Sequence, residues 1–303
     1  MKMHQNGTLL LLLFFLFGYF ISTAQLQEGI QIIQFNGKNV QVNSKGLNNR
    51  SEGEPIVILE SGLGSPIQSW NALIQQLPDT LPVFTYERAG IGQSDQTEEA
   101  PNPEFTAERL HDILGQLEIM PPYIMVGHSW GGPLINSFAV QFPDEVAGMV
   151  FIDESDIVNM GANFLEAIKR ASDGKVTTNV ISEKMNTYFQ MAPPGIAREW
   201  SEIYNLVNSE DLEIKRFTPT KTVPTAILLS GKYEPAPVDL GITGFDFKDF
   251  QEMLKLRAEK FTKKISDNPN AIFLQYNNLG HYMHVENPEM VAGVIAEIYP
   301  MAK

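Results

Sequence analysis

The chain contains no cysteine among its 303 residues. Disulfides are therefore excluded, and so is a lipid attached to a cysteine, which leaves packing alone to hold the fold. Basic residues are also few, since 22 Lys and Arg stand against 36 Asp and Glu, for a net charge of −14. Such a surface repels phosphate backbones and anionic lipid headgroups, so nucleic acid is not an expected partner.

Long apolar runs are absent except near the N-terminus. Residues 9–21 are almost unbroken Leu and Phe, Lys2 precedes them, and small residues follow at Ser22-Thr23-Ala24. This order predicts a signal peptide over residues 1–24 that is cut after Ala24, so we expect an exported protein, periplasmic or secreted. The run is shorter than the roughly 20 residues that span a bilayer, and no stable membrane span is expected in the mature chain, 25–303.

The mature sequence alternates between short apolar runs and segments with helical periodicity. This alternation predicts an α/β fold with a mostly parallel, doubly wound sheet of about eight strands. A helical lid insertion is predicted over about 155–222, where no good strand is found. The expected strands lie at 30–35, 40–42, 55–60, 82–86, 122–126, 148–153, 225–230 and 271–276.

Two familiar kinds of site are missing from the sequence. No H-E-x-x-H motif occurs, and His281 and His284 have no carboxylate pattern around them, so no metal is expected. Gly90-Ile91-Gly92 lacks the third glycine of a nucleotide-binding loop. We therefore expect chemistry without a cofactor.

One motif does carry chemistry, the G-x-S-x-G pentapeptide at Gly127–Gly131. It directly follows a predicted strand and opens a predicted helix, which is the context that a nucleophile elbow requires. The glycines permit a sharp turn that raises the hydroxyl of Ser129, the predicted nucleophile. The N–H of Trp130, at the start of the helix, is then expected to face an oxyanion.

Several blocks in the same order resemble the α/β-hydrolase superfamily, in particular its small bacterial serine esterase- and peptidase-like branch. The elbow is one of them. The others are Leu59–Ser65, similar to the oxyanion loop, Tyr86–Asp95, similar to the loop after the fourth strand, and Gly280-His281, similar to the histidine loop. The resemblance spans the mature chain except the insertion.

The base must be a histidine, and only His281 and His284 remain after the signal peptide, a helix face and the elbow neighbour are set aside; the resemblance selects His281. It also implies an acid after the strand at 225–230, where Glu234 occupies the matching position. Asp153, at the end of another strand, is the alternative acid.

The resemblance places the second oxyanion donor at the N–H of Leu63, between Gly62 and Gly64, which let the backbone approach a substrate. Ser61 stands where the family usually has a histidine. Arg88 and Asp95 are expected to hold the loop after the strand at 82–86.

The expected reaction is hydrolysis of a carboxylic ester with a small or medium acyl group, through an acyl-enzyme. One alternative is an aminopeptidase resembling proline iminopeptidases, which needs an acidic side chain for the substrate amine; Glu154 and Glu87 are the candidates. A non-catalytic ligand-binding protein of the same fold is the other alternative. The expected partner is thus a small-molecule ester or a short peptide.

Overall fold

The computed structural model describes residues 26–155, 169–170, 173–174, 178–207, 221–233 and 246–303. The predicted signal peptide, parts of the predicted lid insertion and the candidate acid Glu234 lie outside the described residues. In the described part, no helix is both long and apolar enough to cross a membrane.

The described strands form one eight-stranded sheet, in the order β1-β2-β4-β3-β5-β6-β7-β8. β1 and β2 form an antiparallel hairpin, β2 is antiparallel to β4, and all other neighbours are parallel. The predicted fold class is confirmed. The strands are β1 Gly29–Phe35, β2 Lys38–Lys45, β3 Ile56–Glu60, β4 Val83–Tyr86, β5 Tyr123–His128, β6 Val146–Ile152, β7 Thr225–Ser230 and β8 Ala271–Tyr276.

Helices cover both faces of this sheet. Asn102 and Asn287 begin two of them by accepting hydrogen bonds from backbone N–H groups of the first turn, each with a proline following directly. The described helices are α1 Asn71–Gln76, α2 Pro103–Gln116, α3 Gly131–Gln141, α4 Thr178–Gln190, α5 Pro194–Val207, α6 Phe247–Lys264, α7 Met283–Glu286 and α8 Pro288–Met301.

The core consists of two apolar layers, one on each face of the sheet. β3 shows how the sequence divides between them, because alternate side chains of a strand point to opposite faces. Ile56 and Ile58 pack with residues of α2 and α3, whereas Val57 and Leu59 pack with residues of α1 and α8. A central strand that is buried on both faces needs apolar residues at every position, which is why 56–59 reads as a continuous apolar run.

The described part of the predicted lid insertion is helical. α4 and α5 pack against each other, and the rings of Phe189 and Trp200 stack with centroids 4.4 Å apart. A third apolar cluster joins these helices to Trp130 and Leu134 at the start of α3. α4 and α5 therefore pack at the carboxyl edge of the sheet, beside the G-x-S-x-G turn.

Candidate active site

Ser129 occupies a left-handed backbone conformation between β5 and α3, with φ of 51°. A residue other than glycine rarely adopts this conformation, so the surrounding contacts must hold it there. A Cβ on Gly131 would lie 2.2 Å from the carbonyl oxygen of Glu60, and one on Gly127 would lie 2.6 Å from that of Gly131. The two glycines of the motif are thus needed for the close approach of β3, the turn and α3.

His281 lies in the loop before α7, with 43% of its side chain exposed. Its Nδ1 is 2.6 Å from Oδ2 of Asp153. Since a carboxylate only accepts, Nδ1 carries the hydrogen and Nε2 is left to accept a proton. The rings of His281 and His128 have centroids 4.7 Å apart, which brings His281 beside the elbow.

Asp153 follows the last residue of β6 and is almost fully buried. Its Oδ1 accepts hydrogen bonds from the N–H of Ser230, at 3.0 Å, and from Nη2 of Arg257, at 3.1 Å. Burial alone would raise the pKa of Asp153, but Arg257 and the hydrogen bond from His281 bring it well below its ordinary value. The carboxylate is therefore ionised and held on three sides.

The two candidate acids are placed differently. Glu234, the first choice from the sequence, lies outside the described residues. Asp153, the alternative, is the residue that the structure brings against Nδ1 of His281. Arg257 was not anticipated from the sequence, because nothing in the pattern of α6 indicates which turn faces the end of β6.

The Ser129 hydroxyl has Ser155 as its neighbour, with 3.3 Å between the two Oγ atoms. Ser155 also donates its N–H to the carbonyl oxygen of Ser129. Between the described side chains of Ser129 and His281 there is no hydrogen bond. Catalytic hydrogen bonds are often long or unformed without substrate, and they shorten when the reacting complex assembles.

His128 docks the histidine loop on the elbow. Its Nε2–H donates to the backbone carbonyl of His281, with 3.0 Å between the two atoms. Burial, together with His284 and His281, lowers the pKa of His128 well below its ordinary value, so the ring is neutral. This docking role of His128 was not predicted from the sequence, where its position next to Ser129 is the one signal for it.

The loop predicted to form the oxyanion site passes close to Ser129. A Cβ on Gly62 would lie 2.9 Å from Nδ1 of His128 and 3.3 Å from Cβ of Ser129, so a side chain at this position would push the loop away from the elbow. The N–H groups of Leu63 and Trp130 find no hydrogen-bond acceptor in the described parts of the chain. Two backbone donors are therefore available next to Ser129.

Arg88 and Asp95 were expected to hold the loop after β4, and both connect it to neighbouring segments. The carboxylate of Asp95 accepts the N–H of Asn39 at 2.7 Å and so ties this loop to β2. Arg88 donates to the carbonyl oxygens of Ser61 and Gly62 in the oxyanion loop. Ser61 accepts a hydrogen bond from the indole of Trp70 at 2.8 Å.

The two acidic side chains considered for a substrate amine both have partners in the protein. Glu154 forms an ion pair of 2.7 Å with Lys264. Glu87 accepts the backbone N–H of Gln93 at 2.6 Å and lies 3.4 Å from that of Ile67. Across the described residues, no group of three or more His, Asp or Glu side chains is arranged to hold a metal ion.

The fold and the elbow together define a class of protein. A family model described as alpha/beta hydrolase fold matches residues 54–288. The chain belongs to this family.

Among curated proteins the similarity is partial. The chain is 31% identical over 97 residues to the uncharacterized protein YqjL of Bacillus subtilis, covering 32% of this chain and 38% of that one. It is 26% identical over 163 residues to abhydrolase domain-containing protein abhd-5.2 of Caenorhabditis elegans, covering 50% and 36%. The matched segments thus span less than two fifths of the length of these relatives.

Solved structures match over almost the whole chain at low identity. VinJ has a TM-score of 0.58 at 20% identity, covering 91% of this chain and 99% of that one. The epoxide hydrolase CorEH has a TM-score of 0.57 at 17% identity, covering 90% and 99%. At such identities these similarities establish the fold alone.

Because His284 is buried, we expect the free energy of unfolding to depend on pH. The side chain of His284 is fully buried, both ring nitrogens lack a hydrogen-bond partner among the described atoms, and its ring lies 4.4 Å from that of Trp70. Burial, with a smaller effect of His281, lowers the pKa of His284 from 6.5 to about 3. Between these values the unfolded chain binds a proton that the folded chain does not, so stability falls as the pH drops.

We expect His284→Phe to remove part of this dependence. Below pH 6.5 the free energy of unfolding of the wild type should fall more steeply than that of the variant, with a difference on the order of a few kcal/mol near pH 3. Urea denaturation at several pH values measures it. Above pH 7 the two curves should run parallel, and parallel curves at every pH would contradict the prediction.

Proposed function

We propose that this protein is a serine hydrolase that cleaves carboxylic esters through an acyl-enzyme. Ser129 is the nucleophile, His281 the general base and Asp153 the acid of the triad. The observation that carries the proposal is the 2.6 Å contact of His281 Nδ1 with buried Asp153, beside a serine in a left-handed turn. This contact leaves Nε2 of His281 as the atom able to take a proton.

In the proposed first half-reaction, the Ser129 hydroxyl turns from Ser155 toward His281 when substrate binds. His281 Nε2 takes the hydroxyl proton while Oγ attacks the ester carbonyl. The N–H groups of Leu63 and Trp130 donate to the oxyanion of the tetrahedral intermediate. His281 then delivers the proton to the leaving alcohol, and the acyl group stays on Ser129.

In the second half-reaction, water repeats the attack on the acyl-enzyme. His281 accepts a proton from the water, the second tetrahedral intermediate collapses, and the carboxylic acid leaves as Ser129 recovers its proton. Asp153 stays ionised throughout. It keeps the hydrogen on Nδ1 and stabilises the imidazolium that forms in each half-reaction.

The surroundings favour an apolar acyl group of small or medium size. Leu63, Met185 and Phe189 pack with the apolar cluster of α3, α4 and α5 that adjoins the elbow. The aminopeptidase alternative has less support, because Glu154 and Glu87 are both engaged within the protein. Esters are therefore the substrate class that we propose first.

A fluorophosphonate probe tests the nucleophile. Its phosphorus should form a bond to Oγ of Ser129 with loss of fluoride, and peptide mapping should find the adduct on that residue. Ser129→Ala should abolish labelling. Ser155→Ala is the matched control, since its hydroxyl lies 3.3 Å away, and this variant should still be labelled.

Labelling at Ser155, or labelling that persists in Ser129→Ala, would contradict the assignment of Ser129 as the nucleophile.

Turnover of p-nitrophenyl esters, measured beside that of aminoacyl-naphthylamides, separates the two substrate classes. Hydrolysis of the amides alone would favour the aminopeptidase, and neither labelling nor turnover would favour the ligand-binding protein.

A further inference from the structure

A buried cluster of charged side chains connects the lid insertion to the oxyanion loop. Glu199, on α5, has no exposed surface, and Glu60 and Arg88 are almost as buried. The guanidinium of Arg88 lies between the two carboxylates, 2.7 Å from Oε1 of Glu60 and 2.5 Å from Oε1 of Glu199. Removing charges from water is costly, so such a cluster persists only where each member is paired.

Arg88 uses its whole hydrogen-bonding capacity in this cluster. Nε donates to Glu199, Nη1 donates to Glu60 and to the carbonyl oxygen of Ser61, and Nη2 donates to Glu199 and to the carbonyl oxygen of Gly62. Burial alone would lower the pKa of Arg88, but the two carboxylates raise it above its ordinary value. The guanidinium is therefore permanently charged and fixed in orientation.

The bond to Gly62 acts on the predicted oxyanion donor directly. The carbonyl of Gly62 and the N–H of Leu63 belong to one planar trans peptide group, so they point in opposite directions. When Arg88 and the N–H of Ser65 hold the carbonyl oxygen, at 2.8 and 3.1 Å, the direction of the Leu63 N–H is set as well.

Glu199 fixes the next peptide group along the loop. Its Oε2 accepts the N–H of Gly64, at 3.0 Å, and also a hydrogen bond from Arg88 at 2.9 Å. Leu63 therefore lies between two peptide groups that are both restrained by the same ionic cluster. One member of that cluster comes from the lid insertion, 135 residues further along the chain than Gly64.

We infer that Glu199 is a positioning residue for the oxyanion hole, so that the lid helix α5 helps to assemble the site as well as covering it. The inference rests on the proposed function, since it concerns how the Leu63 N–H meets the oxyanion. Glu199 acts through Arg88 and Gly64, and it does not touch the reacting atoms.

The test compares two neighbouring residues that both attach α5 to the body of the protein. Glu199→Gln weakens the bond to the oxyanion loop. Arg198→Gln is the matched control, because Arg198 donates to the carbonyl oxygens of Thr97 and Glu99, each at 2.6 Å, and not to the oxyanion loop. Both substitutions weaken the attachment of α5, but only Glu199→Gln disturbs the peptide groups on either side of Leu63.

With a p-nitrophenyl ester, Glu199→Gln should lower kcat about 10- to 100-fold with little change in KM, because a donor that meets only the transition state is misplaced. The affinity for an alkylboronic acid, which forms a tetrahedral adduct on Ser129, should fall in parallel with kcat/KM. Arg198→Gln should change kcat and boronate affinity by less than about threefold. Glu199→Asp, which keeps the charge, should recover part of kcat.

Thermal unfolding identifies variants that do not fold, and if Glu199→Gln is among them, Glu199→Asp is compared with Arg198→Gln instead. Equal losses in the variants at 198 and 199, or a folded Glu199→Gln with wild-type kcat, would overturn the inference. Fluorophosphonate labelling of the wild type is scored separately. Absence of labelling at Ser129 would contradict the proposed function. Absence of a difference between Glu199→Gln and Arg198→Gln would contradict the role of Glu199.

Discussion

Replacement of Asp153 by asparagine is expected to lower kcat for ester hydrolysis by about a thousandfold or more while the protein stays folded. An asparagine side chain of the same shape can donate its N–H to Nδ1 of His281, which moves the ring hydrogen to Nε2. The base then cannot accept the proton of Ser129. The substitution also removes the negative charge that stabilises the imidazolium and pairs with Arg257.

Two further variants make this experiment specific. Glu154→Gln changes the next residue, another buried carboxylate with a cationic partner, but Glu154 pairs with Lys264 and not with His281. It should retain most of kcat. Glu234→Gln tests the other candidate acid. Loss of turnover in Glu234→Gln with activity preserved in Asp153→Asn would show that Asp153 is not the acid.

Substitution of Gly131 by alanine is expected to cause the largest loss of stability. The added Cβ would lie 2.2 Å from the carbonyl oxygen of Glu60 and 2.9 Å from that of Ser61. These are backbone atoms, at the end of the central strand β3 and in the oxyanion loop, so they cannot move cheaply. We expect the free energy of unfolding to fall by about 3 kcal/mol or more, measured by urea denaturation.

Gly293→Ala is the matched control in the same experiment. Gly293 lies in α8 with nothing within 4 Å of an added Cβ. Alanine favours helix more than glycine does, so this variant should gain about 0.5–1 kcal/mol. Because the clash at 131 also pushes the oxyanion loop away from Ser129, any folded Gly131→Ala protein should hydrolyse esters poorly. Equal stability of the two variants would mean that the elbow is not tightly packed.

The sheet was predictable because each of its strands leaves a local signal in the sequence. β3 and β5 are buried on both faces and appear as unbroken apolar runs, and the β1–β2 hairpin turns at Asn36-Gly37, which both have positive φ. The start of α3, at Gly131, leaves a weaker signal in the apolar periodicity than the strands do. Gly131 and Gly132 have no side chains, so the first turn of this helix shows no apolar repeat.

Local sequence patterns could not indicate which of the two candidate acids contacts His281. β6 and β7 are parallel neighbours, so the two strands end at the same edge of the sheet. Either strand end can therefore be near the histidine loop. The contact of Asp153 with His281 depends on the path of the loop before α7 and on Arg257, which arrives from a helix about 100 residues later.

The class of fold, the location of the elbow and the candidates Ser129 and His281 could all be predicted from the amino-acid sequence. The fold class and Ser129 follow from local patterns, namely apolar periodicity and a glycine-bounded turn, and His281 follows from the resemblance of Gly280-His281 to the histidine loop. The contact of Asp153 with His281 and that of Glu199 with the oxyanion loop became visible only in the folded chain. Such contacts join residues far apart in the chain, and a buried charge shows its partner only when the surrounding elements have packed around both.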